Sequence, residues 1–506
     1  MFSRPGFHPL GCAIVFAGLL HTWVAPTDAQ LISIRTVPVS QAHQFDLYPS
    51  HTLGMGGASI ALEDELLDPF SNPAMGVRVG MARLFTSPNA YTVTSKAGAG
   101  RTLPIGALAK VGGWFGGIAL AVQEVEMSQL NGFQVGPFRC LACTDLGIEV
   151  GPADLSKGNT HGFAMMGTEI ASGLSVGGSV SWSQLNAIDG VDLLYANSAR
   201  VNQHGHSTDL RFGLLKEWEG DRSLEAVVVH NRFNMRHDVI YLDGFWDPGT
   251  QQFSQRARVE QNLDRTTTWG VHTVYVQPLA SSDWRLGWLV TANRMNHPKI
   301  PNYEIMNIPR DPGNSSAFNF GLGISRRRNQ STVALDVIYE PIWSHTWADS
   351  ESPIETAVGD TIQPGGMTIE NNFVFSNAML RMGFDQAQNL GQGGTVMGFQ
   401  FGLSMRSIDY RLRQQDHVQL TSRRLDEGWV EWAPTFGLRL EFTDLEIRYR
   451  ASVTSGTGRP GVVPGGGAML EVSAPSTNIL AAPSGPLTLG EVNVVTHQIS
   501  FSIPLR

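Results

Sequence analysis

Residues 430–442 read VEWAPTFGLRLEF. Val430, Trp432, Pro434, Phe436, Leu438, Leu440 and Phe442 fall on one parity. Glu431, Ala433, Thr435, Gly437, Arg439 and Glu441 fall on the other. Side chains of a strand point alternately to opposite faces, so this stretch is apolar on one face and polar on the other. The next run repeats it: Leu445, Ile447, Tyr449, Ala451 and Val453 against Glu446, Arg448, Arg450 and Ser452. Phe318, Phe320, Leu322 and Ile324 do the same, as do Met397, Phe399, Phe401, Leu403 and Met405. Alternation over about ten residues is the pattern of a lipid-facing barrel strand, but a soluble sandwich shares the period.

Connection lengths separate the two. Short turns stand at Ala171–Gly173, Glu219–Asp221, Ser281–Asp283, Arg327–Gln330 and Thr443–Asp444. Between them lie polar stretches near 128–159, 188–207, 238–266, 297–316, 348–370, 412–429 and 456–492, read as long loops. Short turns at one end and long loops at the other are the habit of outer-membrane barrels. Lipid cannot hydrogen-bond a free strand edge, so such a sheet must close. Residues 103–122 are apolar enough to compete as a helix, but Gly112–Gly113 is a turn signal, and two short strands are expected. The chain ends on an alternating run, Val495 to Leu505, as a closing strand would. Counting from residue 115 gives 14 strands; candidates at 82–95 and 103–112 would make 16. The expectation is thus an all-β, transmembrane antiparallel β-barrel over 81–506.

The remaining features fit that class. Arg4, the apolar run 10–25, and Thr27 and Ala29 before Gln30 form the pattern of a cleaved secretory signal over 1–29. Charged residues are only 16%, while Gly is abundant at 55, which suits a turn-rich sheet protein. A net charge of −9 speaks against nucleic acid as a partner. After export, Cys140 and Cys143 would meet an oxidising compartment, where a local disulfide is expected; zinc would need two further ligands. No nucleophile elbow, HExxH motif or phosphate loop is present, and His204 and His206 near Asp209 read as solvated loop residues. No enzyme activity, metal or cofactor is expected.

Residues 53–76, LGMGGASIALEDELLDPFSNPAMG, precede the barrel. Gly56 and Gly57 permit positive φ and close backbone approach. Pro73 fixes its own backbone and pushes Asn72 from the helical region. The Gly56–Gly57–Ala58 step, Asp64, and Asn72–Pro73–Ala74 together resemble the opening of the FadL-type outer-membrane channels, long-chain fatty-acid and hydrocarbon transporters. PorV-like barrels of protein secretion share it. The resemblance implies that residues 30–80 form a plug, or hatch, in the lumen. It implies passive uptake of hydrophobic small molecules across the bacterial outer membrane, with membrane lipid and the ligand as partners. The alternative it implies is a binding or assembly component that engages other envelope proteins.

Two further groups bear on cargo. Arg439, Glu441, Glu446, Arg448 and Arg450 should face the lumen, either gripping a carboxylate or filling the bore as an ion network. Phe133, Phe138, Tyr241, Phe245, Trp246, Trp343 and Trp347 could catch apolar ligand or form an interfacial girdle.

Overall fold

The structure is a computed structural model describing residues 31–36, 44–52, 54–127, 156–191, 195, 198, 200–249, 251–279, 283–297, 312–391, 394–460 and 489–505. The expected signal sequence and Cys140 and Cys143 lie outside them. In chain order the strands are β1 Arg83–Thr86, β2 Asn89–Val93, β3 Gly98–Val111, β4 Trp114–Glu126, β5 Ser156–Ala171, β6 Leu174–Leu185, β7 Arg200–Trp218, β8 Arg222–Asp247, β9 Gln252–Pro278 and β10 Trp284–His297. They continue with β11 Gly313–Arg328, β12 Ser331–Asp349, β13 Ile354–Glu355, β14 Thr361–Ile362, β15 Met367–Leu390, β16 Thr395–Asp416, β17 Thr421–Glu441, β18 Glu446–Pro460 and β19 Leu489–Pro504.

All but β13 and β14, a small hairpin, join one antiparallel sheet. β1 and β2 share a single place, since both pair with β19 on one side and β3 on the other. The sheet therefore closes into a ring of sixteen strand positions. This corrects the count of 14: the fourteen strands from β4 onward are present, and the candidates at 82–95 and 103–112 join them. The reason is closure. Without β1, β2 and β3, the edges of β19 and β4 would face lipid unpaired.

The turn at Gly112, φ 60°, makes two strands of residues 103–122. Among the described residues no helix is long and apolar enough to cross a membrane. Two expected loops are corrected. Residues 238–266 and 412–429 belong largely to strands: β8 has 26 residues and β9 27, joined through residues 248–251, and β16 meets β17 through residues 417–420. About 9–11 residues suffice to cross a bilayer, so these hairpins rise well beyond it. In β16 and β17 the outward residues there are polar, with Arg411, Arg424 and Asp426 exposed, and the ladder continues because backbone pairing does not depend on side-chain polarity.

The two faces separate as the alternation requires. Phe320, Leu322, Val337, Phe401 and Trp432 are exposed on the outside of the ring, while Thr435, Asp336, Asn377 and Gln400 are buried. An outward apolar band around a polar interior is the arrangement of a barrel that crosses a membrane by strands. At Ser87–Pro88 the first strand breaks, and there the wall leans on the N-terminal segment: Ser87 Oγ donates to Leu47 O at 2.9 Å and Asn89 Nδ2 to Asp46 O at 2.8 Å.

Candidate functional site

The N-terminal segment meets the inward face of the ring at three seats, each made of wall glycines. At the first, Met55 and Gly56 lie on Gly383 and Gly402, and Gly54 on Gly437. A Cβ added to Gly402 would stand 2.0 Å from Gly56 N, and one on Gly383 2.4 Å from Met55 Cβ. Gly54 N donates to Gln400 Oε1 at 3.0 Å, Gly56 N to Thr435 Oγ1 at 3.1 Å, and Thr435 Oγ1 donates to Gly54 O at 2.8 Å. Gly56 and Gly57 both have positive φ, 65° and 79°, and Ala58 is fully buried.

At the second seat Ile60 lies against Gly287, Gly321 and Gly323 and packs with Val274, Leu289 and Ile338. Asp336 Oδ2 accepts from Ser59 N at 2.7 Å and Ile60 N at 3.1 Å, and Ser325 Oγ donates to Ala61 O at 2.7 Å. At the third, Asn72–Pro73–Ala74 lies on Gly213 and Gly177; a Cβ on Gly213 would be 2.0 Å from Asn72 Oδ1. Asn72 is extended, with φ −127° and ψ 106°, as the following proline demands. Its Oδ1 accepts from Ala74 N at 3.1 Å, capping the 3₁₀ turn Pro73–Arg78. Its Nδ2 donates to Leu214 O at 3.3 Å and to the buried Glu225 Oε2 at 3.1 Å. Before it runs the single helical turn α1, Asp68–Ser71, whose last carbonyls accept from Arg211.

Asp64 holds the segment to itself. Its Oδ2 accepts from Ser50 Oγ at 2.6 Å and His51 N at 2.6 Å, and its Oδ1 from Leu66 N at 3.1 Å and Leu67 N at 3.2 Å. Burial and the neighbouring Asp64 carboxylate push Asp68 well above the usual carboxylate range. Burial and the Arg448 guanidinium bring His51 down to about 4, against the upward pull of Asp64 and Glu446.

The expected lumen charges converge beside the first seat. Arg439 pairs with Asp385 at 3.4 Å and Glu441 at 3.2 Å, and Arg448 with Glu446 and with Glu441 at 3.6 Å. Two of them hold the segment directly: Arg448 Nη1 donates to His51 O at 2.9 Å, and Arg450 pairs with Asp46 at 3.2 Å. Arg439, Arg448 and Arg450 thus each face at least one carboxylate of the protein.

Other expected residues scatter. His204 and His206 are exposed on the outside of β7, whereas Asp209 faces inward and pairs with Arg211 at 2.9 Å. Among the described residues no cluster of potential metal ligands occurs. Trp246 and Trp343 are exposed, Trp343 meets Phe318 edge-on, and Tyr241 lies 4.6 Å from the Arg258 guanidinium. Phe133, Phe138 and the Phe245 side chain lie outside the described residues. Sequence reasoning missed the wall glycines, Asp336, Gln400 and Glu225. A signal was present: inward strand positions 177, 213, 287, 323, 383, 402 and 437 are all glycine, where a strand gains nothing from lacking a side chain.

A closed sixteen-strand ring with an outward apolar band and an N-terminal segment seated on its inner wall defines an outer-membrane-type β-barrel. No family model matches the chain, and no curated protein matches it by sequence. Among solved structures it aligns with the Pseudomonas putida toluene transporter TodX at 13% identity and TM-score 0.37, covering 94% of this chain and 100% of that one. It aligns with a Pseudomonas aeruginosa FadL homologue at 13% and 0.40, covering 91% and 99%. A bacterial polysaccharide outer-membrane secretin aligns at 4% and 0.36, covering 84% and 99%. At these values nothing is transferred from the neighbours, and the class rests on the chain's own geometry.

Proposed function

We propose that this chain is a FadL-type outer-membrane channel for passive uptake of hydrophobic small molecules, fatty-acid or hydrocarbon in class, with residues 30–80 as its plug. The observation that carries this reading is the three-seat docking. The seats lie on β6–β7, on β10–β11 and on β15–β17, far apart around the ring, so the segment reaches across the bore between them. A sixteen-strand barrel otherwise encloses an aqueous channel. The seating uses side-chain hydrogen bonds, ion pairs and packing, so its release leaves the wall's ladder whole.

Toward the long-loop end the inner wall becomes apolar. Tyr91, Leu185 and Met235 of the wall form one cluster there with Tyr195 of the β6–β7 connection, and Ile342, Phe373, Phe375 and Tyr410 form another, covered by Ile32 and Ile34. These surfaces suit a hydrophobic solute leaving the outer leaflet or medium. The charged network at the opposite end holds the plug rather than the cargo.

The test is uptake by proteoliposomes of a radiolabelled long-chain fatty acid and of an aromatic hydrocarbon. Barrel-dependent entry, faster in Asn72→Ala, is expected. Failure of both solutes to enter with either protein overturns the reading. Stable co-purification of other envelope proteins alongside that failure would point to the secretion-partner role.

A further inference from the structure

Residues 31–36 take part in none of the three glycine seats, yet Ile32, Ile34 and Thr36 are among the best-buried of the described residues. Ile32 and Ile34 are 2% and 0% exposed, and they sit on Ile342, Phe373, Phe375, Tyr410, Leu412 and Trp429 of the inner wall. Residues 31–36 join no strand. What ties them to the wall comes from side chains. Arg35 Nη2 meets Glu431 Oε2 at 2.6 Å, Tyr410 Oη donates to Thr36 O at 2.8 Å, and Arg406 Nη2 donates to Ser33 O at 3.3 Å. A peptide seated this way can leave without breaking the sheet.

The charges under it do not balance without it. Arg406 is bound to Glu340 at 2.8 Å and also faces Glu431 across the strand pair, so the two carboxylates share one guanidinium until Arg35 adds a second; the Trp429 indole N–H donates to the other Glu431 oxygen at 3.3 Å. The neighbouring inward charges cancel in sign: Asp336 with Arg381 toward the turns, Glu427 with Arg423 toward the loops. The bare wall therefore offers an aromatic and aliphatic trough ending at two carboxylates, Glu340 and Glu431, that share one guanidinium, Arg406. An apolar trough with aromatic faces and a carboxylate suits a cation carried on a hydrocarbon chain.

We infer that this trough is a recognition site for a hydrophobic cation, an alkyl or aryl chain ending in ammonium or guanidinium, and that Ile32, Ile34 and Arg35 occupy it as an internal stand-in. The inference rests on the channel reading and adds a cationic class of hydrophobic ligand to its cargo, bound at this trough. Binding of ligand and seating of residues 31–36 are mutually exclusive, because both require Glu431 and the same apolar floor.

The test is equilibrium dialysis of the full-length protein in lipid nanodiscs, corrected with empty nanodiscs, using decylguanidinium, decanol and decanoate as probes. Wild type binds the guanidinium most tightly. Arg35→Gln removes the competing charge and tightens guanidinium binding about tenfold, the worth of one charge-assisted hydrogen bond. Arg35→Lys behaves as wild type. Glu431→Gln, with its barrel state checked by heat-dependent gel mobility, loses the preference for cation over alcohol. Equal or tighter binding of decanoate, or an unchanged affinity in Arg35→Gln, overturns the inference. Should decanol bind without any cation preference, the inference falls while the hydrophobic-channel reading stands. Should none of the three probes bind, both fall.

Discussion

Gly402→Ala tests the seating of the plug at its tightest point. The new Cβ would stand 2.0 Å from Gly56 N, a backbone atom that no rotamer change can move aside. Ordinary contact requires the segment to retreat by well over an ångström. That retreat breaks the bonds of Gly54 N to Gln400, Gly56 N to Thr435 and Thr435 to Gly54 O. Each contributes about 1 kcal/mol net. Met55, 1% exposed, also loses contact, at about 1.5–3 kcal/mol for full exposure. Partial loss of these terms puts the cost near 4 kcal/mol, enough to shift a docked–undocked equilibrium by about a thousandfold. The ladder between β15, β16 and β17 does not involve these groups, so the ring should persist. Planar-bilayer conductance should rise, and protease added on the turn side should nick residues 44–79. Gly162→Ala, whose Cβ would meet Leu120 at an ordinary 3.7 Å, is the control. Wild-type conductance and an unchanged cleavage pattern in Gly402→Ala would refute the argument.

Asn72→Ala removes the cap of the 3₁₀ turn and leaves Glu225 buried without its amide partner; a loss of about 2–4 kcal/mol in local stability is expected, read as faster amide exchange over residues 64–78. Asn72→Asp, which sets a second anion against Glu225, should loosen the turn further in the same measurement. His51, held at about 4 in the docked state against 6.5 when free, gives docking that is intact above pH 6.5 and weakens as pH falls toward 4, by at most about 3 kcal/mol; tryptic protection measured across that range should flatten in His51→Gln. Asp68 has the opposite sign, since its raised docked value favours proton uptake on acidification, so Asp68→Asn should steepen the loss. Arg448→Met leaves Glu446 and Glu441 without their shared partner; destabilisation of about 3–5 kcal/mol is expected, visible as a lower barrel-unfolding temperature on heated gels.

What the sequence made legible were features that repeat locally. The two-residue period of 430–442, the tight turns and the terminal strand each carry their own signal, and the ring follows from the demand that no edge stay open. The opening motif was also legible, because Gly56, Gly57 and Asn72–Pro73 constrain their own backbone. Features that depend on a distant partner were not. Nothing around Gly402 or Gly213 says that Gly56 or Asn72 will lie opposite, since register across the bore is set by the whole ring. The strand extensions of β16 and β17 were hidden for another reason: their outward residues Arg411, Arg424 and Asp426 are charged where the lipid ends, and polarity alone reads as loop. Residues 31–36 were opaque because LISIRT is too short to show a period and carries no Gly or Pro to mark a turn, and its meaning lies in the carboxylate of Glu431.

The pairing of β1 with β19 has a consequence for how the molecule is made. Strand 1 follows the seated segment directly, and its partner is the last strand of the chain. Residues 44–79 precede in sequence all of the wall that surrounds them, whereas the seam that encloses them closes only when β19 reaches β1. The segment must therefore already lie inside the curling sheet at the moment of closure, or be threaded afterwards through the turn end. The seats on β6–β7 lie nearer in sequence to the segment than those on β15–β17, so loop closure favours docking from its C-terminal side first, and the segment can serve as a mandrel around which the remaining strands wrap.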